Sequence, residues 1–84
     1  MSEEIIGIVS DFYAHPVVAG IELTAGLKVG DKILIKGHTT KLEMTVDSMQ
    51  IDNAPVTEAK AGDSIGVKVS DKVRGGDSVY KITD

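Results

Sequence analysis

Apolar residues alternate with polar or small ones in short runs along this chain, and the runs stop at glycine, proline, aspartate or asparagine. A period of two puts every second side chain on one face, the mark of a half-buried strand. Ile5 to Phe12 is the first such run, with Ile6, Ile8 and Phe12 on one face and Gly7 on the other. A glycine there admits a close neighbour or a bend. Tyr13-Ala14-His15-Pro16 breaks the run, because proline cannot donate to a ladder and holds His15 extended. Val17 to Leu23 alternates again, with Val17, Ala19, Ile21 and Leu23 inward. Lys32 to Lys36 turns Ile33 and Ile35 to one side, and Ser64 to Val69 does the same with Ile65, Val67 and Val69. Ser78 to Ile82 is the last strand, and Leu27 with Val29 is expected to cap one end of the core. From Leu42 the inward positions are Leu42, Met44 and Val46, after which the phase changes to Met49 and Ile51. An extra residue in a β-bulge near Asp47-Ser48 would produce such a change. Asp52-Asn53-Ala54-Pro55 ends that run, and Val56 to Ala61 leaves room for one short helical turn.

One local pattern occurs three times: Lys28-Val29-Gly30-Asp31-Lys32-Ile33, Lys60-Ala61-Gly62-Asp63-Ser64-Ile65 and Arg74-Gly75-Gly76-Asp77-Ser78-Val79. Each is a basic residue, a spacer, Gly-Asp, a second spacer and a β-branched residue. Glycine supplies the positive φ of a tight turn, and the aspartate bonds nearby backbone. The unequal spacing excludes a fixed-period array. Six or seven short strands joined by such turns, with no amphipathic helix, predict an all-β domain. Closure into a small six- or seven-stranded β-barrel is expected, because closure removes exposed edges.

Composition narrows the function. With 84 residues there is room for one domain, residues 1–84, and one core. The absence of cysteine excludes disulfides and thiolate-bound zinc. Charges or glycines interrupt every apolar run well short of a membrane span. The acidic start, Met1-Ser2-Glu3-Glu4, lacks the basic and then apolar order of a signal peptide, so a cytoplasmic protein is expected. Nine basic against thirteen acidic residues argue against a broad grip on phosphate, while leaving room for a local basic patch. Phe12, Tyr13 and Tyr80 are the only aromatic residues, too few for a platform of stacked bases.

No catalytic constellation is legible. His15 and His38 stand in separate loops without a second ligand at helical spacing, and a surface role is expected for both. The serines lack a strand-to-helix elbow, the carboxylates are dispersed, and no glycine-rich loop opens a helix. No catalytic residue, metal or cofactor, and no GTP binding by this chain alone, is therefore expected. Two features rise above this background. Lys36-Gly37-His38-Thr39-Thr40-Lys41 gathers two lysines, a histidine and two hydroxyls in one loop, which suits a phosphate or a partner carboxylate. The other reading is a solvated hairpin whose threonines bond locally to backbone. At the phase change, Met49 beside Gln50 suits an adaptable contact surface, against the alternative that Met49 packs in the core.

A family resemblance extends this reading. The spans Gly26-Leu27-Lys28-Val29-Gly30-Asp31-Lys32-Ile33-Leu34-Ile35-Lys36-Gly37, Val46-Asp47-Ser48-Met49-Gln50, Ala59-Lys60-Ala61-Gly62-Asp63-Ser64-Ile65-Gly66 and Arg74-Gly75-Gly76-Asp77 resemble, in order, the second domain of translational GTPases such as elongation factor Tu. Small stand-alone translation elongation factor-like proteins look closer still, the likeness extending to Lys36-Gly37-His38-Thr39-Thr40 and Val79-Tyr80-Lys81-Ile82. The resemblance implies a closed barrel that contacts tRNA, ribosomal RNA or a translation-associated protein, with Lys28, Lys32, Lys36 and Lys41 as a basic rim. No G domain precedes the barrel, so GTP hydrolysis is not implied. Tyr13-Ala14-His15-Pro16-Val17-Val18-Ala19-Gly20 stands where elongation factor Tu carries an arginine-containing segment for the tRNA end, and the arginine is missing. Similar barrels also serve as accessory domains in collagenase-like peptidase relatives. The leading expectation is a non-catalytic module of the translation machinery or structured RNA. The alternative is a protein–protein adapter for a peptidase-like enzyme.

Overall fold

Three copies of one turn organise the fold of the computed structural model, which describes residues 2–14, 17–52 and 54–83. In each copy the aspartate N–H donates to the carbonyl of the basic residue: Asp31 to Lys28 (3.1 Å), Asp63 to Lys60 (3.0 Å) and Asp77 to Arg74 (3.1 Å). The aspartate Oδ2 in turn accepts the N–H of that same residue at 3.0, 3.0 and 2.9 Å. Gly30, Gly62 and Gly76 take φ of 98°, 94° and 94°, as the third position of a type II turn requires. Their N–H groups reach across to Val46, Leu23 and Val9 carbonyls at 2.9, 2.9 and 2.7 Å. The basic residue thus enters the turn through its backbone, which leaves its side chain free. A Cβ on Gly62 would meet nothing within 4 Å, so Gly62→Ala isolates the backbone cost. We expect a loss of about 1–2 kcal/mol in urea unfolding, and a smaller loss for Gly62→Asn, which tolerates the left-handed region.

The described residues form ten strands around these turns. They are β1 (Ser2–Ala14), β2 (Val17–Leu23), β3 (Leu27–Lys28), β4 (Lys32–Lys36), β5 (Lys41–Thr45), β6 (Met49–Ile51), β7 (Ala54–Val56), β8 (Glu58–Ala59), β9 (Ser64–Lys68) and β10 (Ser78–Thr83). Eight form one antiparallel sheet in the order β5-β4-β10-β1-β2-β9-β6-β7, and β3 pairs with β8 as a separate ribbon. Laid flat, eight strands would form a layer roughly 34 Å wide and about 10 Å thick. The molecule measures 32 × 25 × 20 Å, so the sheet curls over its own core. That core is aliphatic: Ile21, Ile33, Ile35, Val67 and Val79 are fully buried, with Ile6, Val9, Val46, Met49 and Val73 beside them.

The all-β expectation holds, but the closed six- or seven-stranded barrel does not form. The ladder is open, with β5 and β7 as its two ends. Between them the short ribbon is tied in by Val29 N–H to the Thr57 carbonyl and by Gly30 N–H to the Val46 carbonyl, each 2.9 Å. Individual backbone bonds therefore stand where a continuous ladder was expected. No helix among the described residues is long and apolar enough to cross a membrane.

Strict alternation translated directly into β2, where Ala19, Ile21 and Leu23 are buried; in β4 Ile33 and Ile35 are buried as expected, but Leu34 between them is buried as well. The first strand departs from it. Ile5 pairs with Tyr80 and Gly7 with Val79, so Ile6 is an extra residue against β10. Val9 pairs with Ile21 and Asp11 with Gly20, so Ser10 is an extra residue against β2. These bulges place Ile6 and Val9 in the core and leave Ile8 46 % exposed. Gly7 also faces the core, where an added Cβ would come within 2.7 Å of the Glu22 carbonyl. Two further expectations change. Val29, expected at the core's end with Leu27, is 39 % exposed. The helical turn expected over 56–61 is replaced by the end of β7, by β8 and by the start of the second turn.

Candidate functional site

The predicted loop between β4 and β5 is closed by Gly37 N–H donating to the Thr40 carbonyl at 2.8 Å, which leaves His38 and Thr39 exposed at its tip. It packs on the third Gly-Asp turn. Asp77, 6 % exposed, lays its carboxylate against Gly37, where no side chain stands in the way. His38, Thr39, Arg74, Gly75 and Gly76 surround the resulting hollow of about 290 Å³. Arg74, absent from the sequence-based candidates, is thus brought beside the loop. The signal was faint: it is the arginine where the other two turns carry lysine.

The lysines expected to form one basic rim are divided. Lys32 and Lys36 lie on the outer face of β4, with Lys41 opposite Lys36 on β5. Lys36 Nζ is 3.9 Å from Glu3 Oε1 and 5.8 Å from the centre of the Tyr80 ring. Both charges of that pair are solvent-exposed, so it contributes little to stability. Lys28 stands on the separate ribbon opposite Glu58, lining a hollow shared with Glu4, Asp31 and Lys81. Lys81 Nζ pairs there with Asp31 Oδ2 at 3.4 Å.

Met49 and Gln50 part company. Met49 is 2 % exposed between Val56 and Val67, so it cannot serve as a surface contact. The expected bulge at Asp47-Ser48 is instead the passage from β5 at one end of the sheet to β6 near the other. Alternation then puts Gln50 outward, on the rim of a hollow of about 480 Å³. Its floor comes from register: Gly20 pairs with Gly66, Asp11 with Gly20, and Gln50 with Gly66. Two adjacent strands therefore lack a side chain at the same height. Tyr13 (57 % exposed) and Val18 border the trough on one side, Ser10 and Ser64 on the other, and Asp52 stands beyond Gln50. Ser10 Oγ donates to the Gly20 carbonyl at 3.3 Å, and Asp52 adopts φ of 51°. A bare backbone floor, an aromatic wall and carboxylates near both ends suit an extended polypeptide segment with a cationic side chain. Gly20 and Gly66 were visible as outward glycines, but their pairing was not.

His15 lies outside the described residues. Among those described, no three His, Cys, Asp or Glu side chains come together so as to hold a metal ion.

No protein-family model matches the chain. Over 80 residues, 94 % of its length, it is 49 % identical to an uncharacterized protease of Methanocaldococcus jannaschii. The chain spans about a fifth of that relative, 20 % of its length. In fold it is similar to the C-terminal domain of a "putative U32 peptidase" of Geobacillus thermoleovorans, with a TM-score of 0.88 at 13 % identity, covering 95 % of this chain and 93 % of that one. A selenomethionine variant of the same domain gives 0.87 at 14 % identity, covering 93 % and 99 %. These findings overturn the resemblance to elongation factor Tu and to stand-alone elongation factor-like proteins, and with it the translation reading. The Gly-Asp turns that carried the resemblance solve a local problem of strand entry and do not mark a lineage. What the chain is similar to is a fifth of an uncharacterized protease in sequence, and a peptidase C-terminal domain in fold.

Proposed function

We propose that this chain is a non-catalytic accessory module of a U32-type peptidase, binding a protein segment rather than cutting one. The observation that carries the proposal is the 49 % identity over 80 residues to one-fifth of an uncharacterized protease. A match of that extent covers this fold and leaves the rest of the relative to supply any chemistry. The trough over Gly20 and Gly66 is the proposed contact, with Asp11, Tyr13 and Gln50 at its rim. The loop cations Lys36 and Lys41, with His38 and Arg74 beside them, are a second surface available to the same partner.

The test is to mix the chain with the Methanocaldococcus jannaschii protease lacking its 80 matching residues. Titration calorimetry should show a one-to-one complex that ribonuclease leaves intact. Gly66→Thr, which fills the trough, should weaken it at least ~10-fold if one buried anchor is lost. Hydrolysis of a peptide by the chain alone, or no complex at all, would sink the reading.

A further inference from the structure

The open end of the sheet at β5 carries an inference that does not depend on the peptidase reading. Among the described residues β5 pairs only with β4. The bonds Gly37 N–H to the Thr40 carbonyl and Val46 N–H to the Asp31 carbonyl flank this ladder and set its parity. Backbone groups of antiparallel strands alternate in direction. Thr40, Leu42, Met44 and Val46 therefore turn theirs toward β4, and Lys41, Glu43 and Thr45 turn theirs toward the open side. The opposite end, β7, carries Pro55, which has no N–H to offer. A free row of donors and acceptors is a template for another strand.

The residues along this edge match themselves. When two copies of β5 run antiparallel about a two-fold axis through Leu42, Lys41 lies opposite Glu43 of the second copy, and Glu43 opposite its Lys41. The outward backbone groups of these residues then form the bonded pairs, and the two Leu42 side chains meet at the close, non-bonded position. Neither Lys41 nor Glu43 has an ion-pair partner among the described residues, and Lys41 stands opposite a like charge, Lys36. Leu42 and Met44 belong to the core-facing row yet stay only half-buried, because no strand follows β5. A two-fold axis through Glu43 would set Glu43 against itself, and one through Met44 would set Glu43 against Thr45 and carry Lys41 past the end of β5, opposite Asp47, outside the paired strand. The axis through Leu42 satisfies charge and apolar contact together.

We propose that the chain forms a two-fold symmetric dimer by antiparallel β5–β5 pairing centred on Leu42, joining two eight-stranded sheets edge to edge. Such an interface is isologous: every contact occurs twice. Its size is at the low end for specific association, below ~1,200 Å² in total, so the dimer is weak and concentration-dependent.

Sedimentation equilibrium of the 84-residue chain from ~5 µM to ~1 mM tests this, with circular dichroism to show that each variant folds. Wild type should pass from monomer to dimer in this range, less readily at high salt. Glu43→Lys and Lys41→Glu each place like charges opposite one another twice, and each should weaken the dimer roughly tenfold or more. The double variant restores both pairs and should dimerise like wild type. An equimolar mixture of the two single variants should form a heterodimer although neither pairs with itself. A chain that stays monomeric throughout overturns the proposal. So does a dimer indifferent to Glu43→Lys, or single variants that fail to complement each other on mixing.

Discussion

Met49→Asp is expected to unfold the domain. An 84-residue domain is held by roughly 4–13 kcal/mol in all. Met49 lies fully inside, at the start of β6, with Val67 as its cross-strand neighbour on one side and Val56 on the other. Removing a buried side chain of that size costs about 2–5 kcal/mol. A carboxylate in its place enters the hydrophobic core cluster and must be desolvated there, at a further cost of several kcal/mol. The sum reaches the stability of the whole domain. Met49→Leu conserves volume and polarity and should cost less than about 1.5 kcal/mol. Urea titrations followed by circular dichroism separate the outcomes. A folded Met49→Asp protein would show that this position is accessible after all and would revive it as a contact residue. The neighbouring Gln50→Ala, on the outer face, should leave stability nearly unchanged.

That contrast between adjacent residues shows where sequence reasoning reached and where it stopped. Alternation says which residues share a face, and it placed β2 correctly because that strand itself carries no extra residue; in β4 it found Ile33 and Ile35 but not the burial of Leu34 between them. In β1 the same rule misassigned Ile8, because the extra residues Ile6 and Ser10 each shift the parity; Gly7 marked a possible bend at the first, and nothing in the composition marked the second. The run from Leu42 to Ile51 was harder. Its two halves pair with β4 and with β9, and the phase change is a crossing between distant parts of the sheet. Closure lay out of reach for a related reason. It depends on which strands meet at the sheet's ends, and the link there is a ribbon of only two residue pairs, Leu27 with Ala59 and Lys28 with Glu58. The loop Lys36–Lys41 was legible because its chemistry is contiguous. The trough was not, since Gly20 and Gly66 acquire meaning only through their register.

Gly37→Ala is the other substitution expected to do severe damage, although its site lies at the start of an exposed loop. A Cβ there would overlap the Asp77 carboxylate. Relief requires one of two movements. Asp77 could withdraw, but its Oδ2 accepts the Arg74 N–H at 2.9 Å, and a short side chain cannot keep that bond from a displaced position. Alternatively the loop could lift, which breaks the Gly37 N–H bond to the Thr40 carbonyl and loosens the β4–β5 hairpin. Losing a charge-assisted bond costs roughly 1.5–3 kcal/mol, and imperfect repacking adds to it, so we expect about 2–4 kcal/mol for Gly37→Ala. Asp63 supplies the internal control: it makes the same turn bond, at 3.0 Å, from a less buried position. Asp63→Ala should cost about 1 kcal/mol, and Asp77→Ala more. The decisive measurement is the double variant Gly37→Ala/Asp77→Ala. Removing the carboxylate opens the space that the new methyl group needs, so the two losses should fall short of additivity by at least ~1 kcal/mol. Strict additivity would mean that the loop and the third turn do not lean on each other. The hollow between His38, Thr39 and Arg74 would then lose its structural basis.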